Sequence, residues 1–233
     1  MAFDPNFGKY ISSIYSIKLQ TGRWFVQSFG PINIIFNEMN NDNMLPSLVT
    51  IPDFNKTSYQ NTTDIITNMD HYLAKKYHKI YIIDWCGVDN TLKERYDDIK
   101  MDEDMTNFGL ILAKYLDLIF VNKYKLTNIH LLATSYGSMV ATYMLQLNTI
   151  YSGLFLSSPS IPSNVYSFNN IGYKLKNVKL RFSWNIDSPT MDDKTIYDAI
   201  NSISHNKLNY KSRYYSPEFM NTIHPDFILD IIN

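Results

Sequence analysis

The spacing of hydrophobic and polar residues divides the chain into two parts. In the first part, partly alternating runs are separated by the turn residues Thr21, Gly22 and Pro31, a pattern typical of strands joined in hairpins. Three strands are predicted there, at residues 11–20, 24–29 and 32–36. The chain is therefore expected to begin with antiparallel strands.

The second part alternates short apolar runs with segments of helical spacing. Apolar runs as long as a buried strand lie at residues 48–51, 80–83, 129–133, 154–156 and 180–184. Helices are predicted around residues 65–73, 108–119, 139–147, 195–203 and 227–232, with Thr63 or Asp64 capping the first. Repeated β-α-β units predict an α/β fold with a mostly parallel sheet, antiparallel N-terminal strands and helices on both faces. A single domain over residues 1–233 is the simplest organisation.

Composition and charge narrow the class of protein. A chain of 233 residues with 45% hydrophobic content can form one large folded domain. The net charge of −1 gives no reason to expect nucleic acid or an anionic membrane as partner. No segment approaches the ~20 apolar residues that span a bilayer, and no signal peptide is visible. The single cysteine, Cys86, excludes an internal disulfide, so we expect a cytoplasmic protein in a reducing compartment.

No cofactor and no metal site are predicted. His71, His78 and His130 lack metal-ligand spacing, and the chain has no Gly-rich phosphate loop or dinucleotide fingerprint. The acidic residues 97–104 come just before a predicted helix, where negative charge suits the helix N-terminus. We interpret them as a solvated face.

The most informative segment is residues 129–140. A short apolar run leads into Ser135, and helical spacing begins at Met139. A serine at a sharp turn from strand to helix adopts a strained backbone, so the residues two before and two after it must be small. Ala133 and Gly137 occupy those positions. A serine at this place can also be a helix N-cap, and the segment alone leaves both interpretations open.

This segment resembles the nucleophile elbow of the α/β-hydrolase superfamily, whose usual pattern is Gly-x-Ser-x-Gly. Ala133 departs from that pattern by one methyl group. Residues 84–91 are similar to the family's strand-four signature, Asp-x-x-Gly-x-Gly-x-Ser, with Asp89 and Thr91 replacing the second Gly and the Ser. The resemblance covers nearly the whole chain and implies the α/β-hydrolase fold.

The resemblance implies that an acid and then a histidine follow Ser135 along the chain. Asp187 comes just after the predicted strand at residues 180–184, where it meets the edge of the sheet that binds ligands in such folds. The alternative is that Asp187 only stabilises a turn, because Asp side chains bond to nearby backbone groups in turns. Asp192 and Asp193 lie further along, where they are expected to begin a helix.

His224 is the implied base, because it stands directly before the last predicted helix. Pro225 suits the first helical position and Asp226 complements the positive helix end. The alternative is that His224 is an exposed residue near the C-terminus with no catalytic role. The only other histidine after Asp187 is His205, which lies in a polar segment and is interpreted as a surface residue.

An oxyanion hole is also implied, formed by two backbone N–H groups. Tyr136, directly after the serine, supplies one of them. The other is expected from Phe54, in a loop where Pro52 and Asp53 stand in place of the His-Gly found in many relatives. A different register would use the loop after residues 32–36, through Glu38.

The resemblance implies a serine hydrolase that cleaves carboxylic esters or thioesters through an acyl-enzyme, with Ser135, Asp187 and His224 as the triad. Only residues 160–179 lie between the two strands where many relatives insert a helical cap, so a small ester or acylated substrate is expected rather than a lipid. A catalytically silent fold that serves binding or structure is the alternative, motivated by Ala133 and the altered oxyanion loop. A peptidase has no sequence feature in its favour.

Overall fold

The computed structural model describes residues 11–19, 22–29, 32–38, 42, 44–53, 56–85, 101–159, 177–185, 210–215 and 223–233. Nine strands within these ranges form one sheet: β1 (Ile11–Leu19), β2 (Gly22–Phe29), β3 (Ile32–Glu38), β4 (Ser47–Ile51), β5 (Lys79–Asp84), β6 (Ile129–Ser135), β7 (Tyr151–Pro159), β8 (Lys179–Asn185) and β9 (Tyr210–Tyr215). Their spatial order is β1-β2-β3-β5-β4-β6-β7-β8-β9.

The sheet is antiparallel on one side and parallel on the other. The pairs β1–β2, β2–β3 and β3–β5 are antiparallel, and the five pairs that link β5, β4, β6, β7, β8 and β9 are parallel. We call the edge where β4, β6, β7 and β8 end the carboxyl edge. Because crossovers return each strand to the same starting edge, the ends of these strands are brought together there.

Helices cover both faces. The helices within the described ranges are α1 (Lys56–Asn68), α2 (Asp70–Leu73), α3 (Met101–Leu118), α4 (Gly137–Leu147) and α5 (Pro225–Ile232), and a π-helical segment, Ile119–Lys123, follows α3. On one face, Val49 and Leu131 pack with residues of α3 and α4. On the other face, Leu48, Leu132 and Phe155 pack with residues of α1, α2 and α5. Neighbouring strand residues belong alternately to the two clusters, because successive side chains of a strand point to opposite faces of the sheet.

The predicted architecture is therefore confirmed, but two elements differ from the prediction. Helix α1 begins at Lys56, so Thr63 and Asp64 lie inside it and do not cap it. Its first two turns are almost entirely polar, and the apolar periodicity marks only the part that packs on the sheet. Strand β9 was not predicted, because an edge strand of sequence YKSRYY carries no apolar run. The helix predicted over residues 195–203 lies outside the described residues.

Candidate active site

The turn between β6 and α4 has the backbone of a nucleophile elbow. Ser135 ends β6 with φ of 46°, in the left-handed region that side chains disfavour, and the residue is 5% exposed. Tyr136 already has helical angles (φ −61°, ψ −26°), and α4 begins at Gly137. Tyr136, not Ser135, holds the N-cap position, and no side chain caps this helix. The N-cap alternative for Ser135 is therefore wrong, and the left-handed residue stores about 1–3 kcal/mol of strain.

Gly137 lets the first turn of α4 approach the end of β4. A Cβ atom at this position would lie 2.2 Å from the carbonyl oxygen of Ile51 and 2.7 Å from that of Pro52. Both atoms belong to the backbone, so they have no flexible side chain to move aside. The small residue two places after the serine is required by this contact, as the sequence pattern predicted.

The loop after β4 lies beside the elbow. Ile51 pairs with Ala133, and the backbone N–H of Asp53 donates to Thr134 Oγ1 at 2.9 Å. Trp85 Nε1 donates to the carbonyl of Pro52 at 3.0 Å. This loop is therefore fixed to β6 and to the segment after β5. Phe54, the predicted oxyanion donor, is the next residue and lies outside the described residues.

The alternative oxyanion loop, through Glu38, is ruled out by topology. Strand β3 is antiparallel to β5, and Glu38 pairs with Lys79 at the first residue of β5. Its end therefore lies at the edge opposite to Ser135. The sequence pattern could not decide this point, because the direction of a strand in the sheet is set by its partners.

A second strained serine lies on the neighbouring strand. Ser135 pairs with Pro159 after a register shift, and Ser158, the residue inside this irregularity, has φ of 44°. One residue earlier, Ser157 Oγ accepts a 2.9 Å hydrogen bond from Ser183 Oγ across β7 and β8. Bulges and left-handed residues are concentrated near functional sites. The carboxyl edge is thus both polar and strained on two adjacent strands.

The candidate acid follows a strand that ends at this same edge. Thr134 pairs with Ser157, and Ser157 pairs with Ser183, so these three residues lie at one level of the sheet. Strand β8 ends two residues beyond Ser183, at Asn185. Asp187, together with Asp192, Asp193 and His205, lies outside the described residues. Its role as the acid stays a prediction.

His224 precedes α5, as predicted, and its ring caps the start of this helix. It is the N-cap residue of α5, and its Nδ1 accepts a hydrogen bond from the backbone N–H of Asp226 at 3.1 Å. Asp226 Oδ2 lies 3.9 Å from the same nitrogen. A ring nitrogen that accepts carries no proton, so the neutral ring has its proton on Nε2. A triad histidine needs the opposite tautomer, with Nδ1–H donating to the acid.

Two contacts of its last turn define the direction of α5. The carbonyls of Ile231 and Asp230, in its last turn, accept hydrogen bonds from Lys179 and Arg181 in the first half of β8. The helix therefore runs antiparallel to β8. From Asp230 back to His224 the helix rises about 9 Å, which equals about three strand residues. With this direction, the start of α5, where His224 lies, points toward the carboxyl edge of the sheet.

No hydrogen bond joins Ser135 Oγ to the imidazole of His224 within the described part of the chain. Hydrogen bonds between catalytic groups are often longer without substrate. One contact that sequence reasoning missed is that of Thr134, which anchors the loop after β4. Its only sequence signal is a polar residue between the apolar run 131–133 and Ser135.

The described ranges contain no group of three or more His, Cys, Asp or Glu side chains arranged to hold a metal ion. In the same ranges, every helix is too short or too polar to cross a bilayer.

Comparisons with known proteins identify the family. Residues 46–188, more than half of the chain, match the model of the alpha/beta hydrolase fold, and the protein belongs to this family. No curated protein has a matching sequence.

Solved structures share the fold at low sequence identity. An alpha-beta serine hydrolase homologue from Coxiella burnetii superimposes with a TM-score of 0.54 and 10% identity, covering 95% of this chain and 96% of that one. An alpha/beta hydrolase enzyme from the metagenome of sediments from the lagoon of Mar Chica, Morocco, gives 0.54 and 12% over 89% and 95%. A sugar hydrolase from Lactococcus lactis gives 0.53 and 13% over 88% and 83%.

Proposed function

We propose that the protein is a serine hydrolase that cleaves carboxylic esters or thioesters through an acyl-enzyme. One observation carries the proposal: Ser135 holds a left-handed backbone at the turn from β6 to α4, at the carboxyl edge of the sheet. Family membership supports a hydrolase in general terms. A serine in this strained turn presents its hydroxyl above the strand ends, where a substrate carbonyl can reach it.

In the proposed mechanism, Ser135 Oγ attacks the carbonyl carbon while His224 Nε2 takes the hydroxyl proton. The backbone N–H groups of Tyr136 and Phe54 stabilise the oxyanion. The backbone N–H of Asp53 is already bonded to Thr134 Oγ1, which leaves the next residue as the donor from this loop. The leaving alcohol or thiol takes the proton from His224, and water then releases the acid by the same steps.

The mechanism requires a change at His224. Asp187 can orient the imidazole only when Nδ1 carries a proton and faces the carboxylate, so Nδ1 must leave its capping bond with Asp226. The same capping bond favours the second candidate, a silent hydrolase fold used for binding. In that case His224 serves only to begin α5.

Fluorophosphonate labelling distinguishes the two candidates. We expect wild-type protein to be labelled and to hydrolyse short p-nitrophenyl esters, and Ser135→Ala to lose labelling and at least about 10³ of kcat. Ser158→Ala is the matched control, because it removes the hydroxyl of a serine with nearly the same φ on the next strand. A folded wild-type protein that takes no label would support the silent fold, and equal labelling of Ser135→Ala would show that Ser135 is not the residue that reacts.

A further inference from the structure

Two cations of β8 hold the C-terminal end of α5. Lys179 Nζ donates to the carbonyl of Ile231 at 2.7 Å, and Arg181 Nε donates to that of Asp230 at 3.3 Å. Arg181 Nη1 also donates to its neighbour Leu180 at 2.7 Å, which fixes the guanidinium against its own strand. Arg181 is 4% exposed although it is charged. We call Lys179 and Arg181 the α5 clamp.

The clamp uses the chemistry of a helix terminus. The last carbonyls of a helix have no partner within the helix and carry partial negative charge, so cations bind them favourably. A buried guanidinium is stable only when its donors are bonded, and these carbonyls supply acceptors. The opposite end of the same helix begins at His224.

The apolar face of α5 does not by itself fix the position of the helix along its axis. Phe227, Ile228 and Ile231 are buried in the cluster that covers this face of the sheet. Burial of apolar surface is non-directional, and a helix can shift along a sheet with a small change in buried area. The hydrogen bonds of the clamp are directional and join particular residues of α5 to particular residues of β8. They therefore define the register of the helix on the sheet.

We propose that Lys179 and Arg181 are positioning residues that act through α5 to hold His224 at the level of Ser135. The proposal rests on the proposed function for its catalytic consequence. A shift of α5 by one residue would move His224 by about 1.5 Å along the sheet. A displacement of about 1 Å in a catalytic group can lower the rate by about 100-fold.

The test compares two lysines that make the same kind of ring contact. Lys179 Nζ and Lys75 Nζ each lie 5.9 Å from an aromatic centroid, that of Phe155 and that of Tyr72 respectively, but of the two only Lys179 donates a hydrogen bond to α5. We expect Lys179→Met to lower kcat by about 10-fold to 100-fold with KM within twofold, while Lys75→Met keeps both constants. Lys179→Arg, which keeps a donor at this position, should restore most of kcat.

Amide hydrogen exchange of residues 226–231 measures the clamp without turnover. These amides should exchange at least about tenfold faster in Lys179→Met than in Lys75→Met. Arg181→Lys, which keeps the charge but removes the fork of donors, supplies a second variant and should show the same direction. Unchanged exchange in both clamp variants overturns the proposal, and so does a normal kcat in folded Lys179→Met. If wild-type protein lacks Ser135-dependent turnover, the proposed function fails and the exchange result alone decides whether the clamp holds α5.

Discussion

Under the proposed function, the elbow and the start of α5 supply the two reacting groups, and these two regions are built in different ways. At the elbow, three consecutive residues set the geometry: Ser135 is left-handed, Tyr136 is helical and Gly137 touches the backbone of β4. At the start of α5, the position of His224 depends on contacts with residues about 45 positions earlier in the chain. The ring is also engaged in a capping bond.

This difference separates a rigid part of the site from an adaptable one. The strain at Ser135 is held by strands on both sides, since β6 lies between β4 and β7. His224 is half-buried at the end of a helix, and its Nδ1 accepts a hydrogen bond from the backbone N–H of Asp226. Under the proposed function, the serine is ready before substrate arrives, whereas the histidine must exchange its cap for the acid.

The largest expected effect is a loss of stability at the elbow, the rigid part of the site. In Gly137→Ala the new Cβ meets two backbone carbonyl oxygens of the β4 loop, so we expect a loss of about 3 kcal/mol or more in the free energy of unfolding. Gly109→Ala is the matched control. Its Cβ meets the terminal methyl of Met139 at 2.5 Å, and that flexible side chain can move, so we expect a change below about 1 kcal/mol. Urea unfolding of both variants measures the difference, and equal losses would show that the elbow is not specially constrained.

The same contrast explains what the sequence could predict. Short-range requirements are visible in the sequence, so the sharp turn from β6 into α4 and the small residue at Gly137 were predicted correctly. The N-terminal end of α1 and the edge strand β9 were not, because neither has an apolar pattern. The capping bond of His224 was also missed, since histidine is not among the preferred N-cap residues.

A histidine on the strand that leads to the elbow gives a pH-dependent effect of intermediate size. Tyr77 Oη and His130 Nδ1 are 3.1 Å apart, the His130 ring packs on Phe155, and burial together with the charge of Lys179 lowers the pKa of His130 from 6.5 to about 4. The unfolded chain binds a proton on His130 more tightly than the folded protein does. The contribution of neutral His130 to the free energy of unfolding is therefore complete above pH 6.5 and is lost as the pH falls towards 4. We expect the loss to reach about 2 kcal/mol at pH 4.5.

The measurement is urea unfolding at pH 7 and pH 4.5 for wild type and His130→Gln. The glutamine amide can bond to Tyr77 but does not titrate. The difference in the free energy of unfolding between pH 7 and pH 4.5 should therefore be about 2 kcal/mol smaller in the variant than in wild type. If wild type and His130→Gln lose the same stability on acidification, His130 does not drive the acid sensitivity.

The smallest expected change in stability is at His224, in the adaptable part of the site. Two variants separate its role in capping α5 from its proposed role as the base. Asparagine is a strong N-cap residue and cannot act as a base, so His224→Asn should keep the stability of wild type and lose its esterase turnover. His224→Ala should lose the turnover and also about 1 kcal/mol of stability, because the N–H of Asp226 then has no side-chain acceptor. Thermal unfolding and p-nitrophenyl ester hydrolysis, measured on both variants, give the two readouts. Turnover that survives in His224→Asn would move the base to His205, and equal stability of the two variants would show that the cap contributes nothing to α5. If the prediction holds, a single imidazole both begins the helix and removes the proton from Ser135, and it cannot do both at once, because capping requires Nδ1 to accept and catalysis requires Nδ1 to donate.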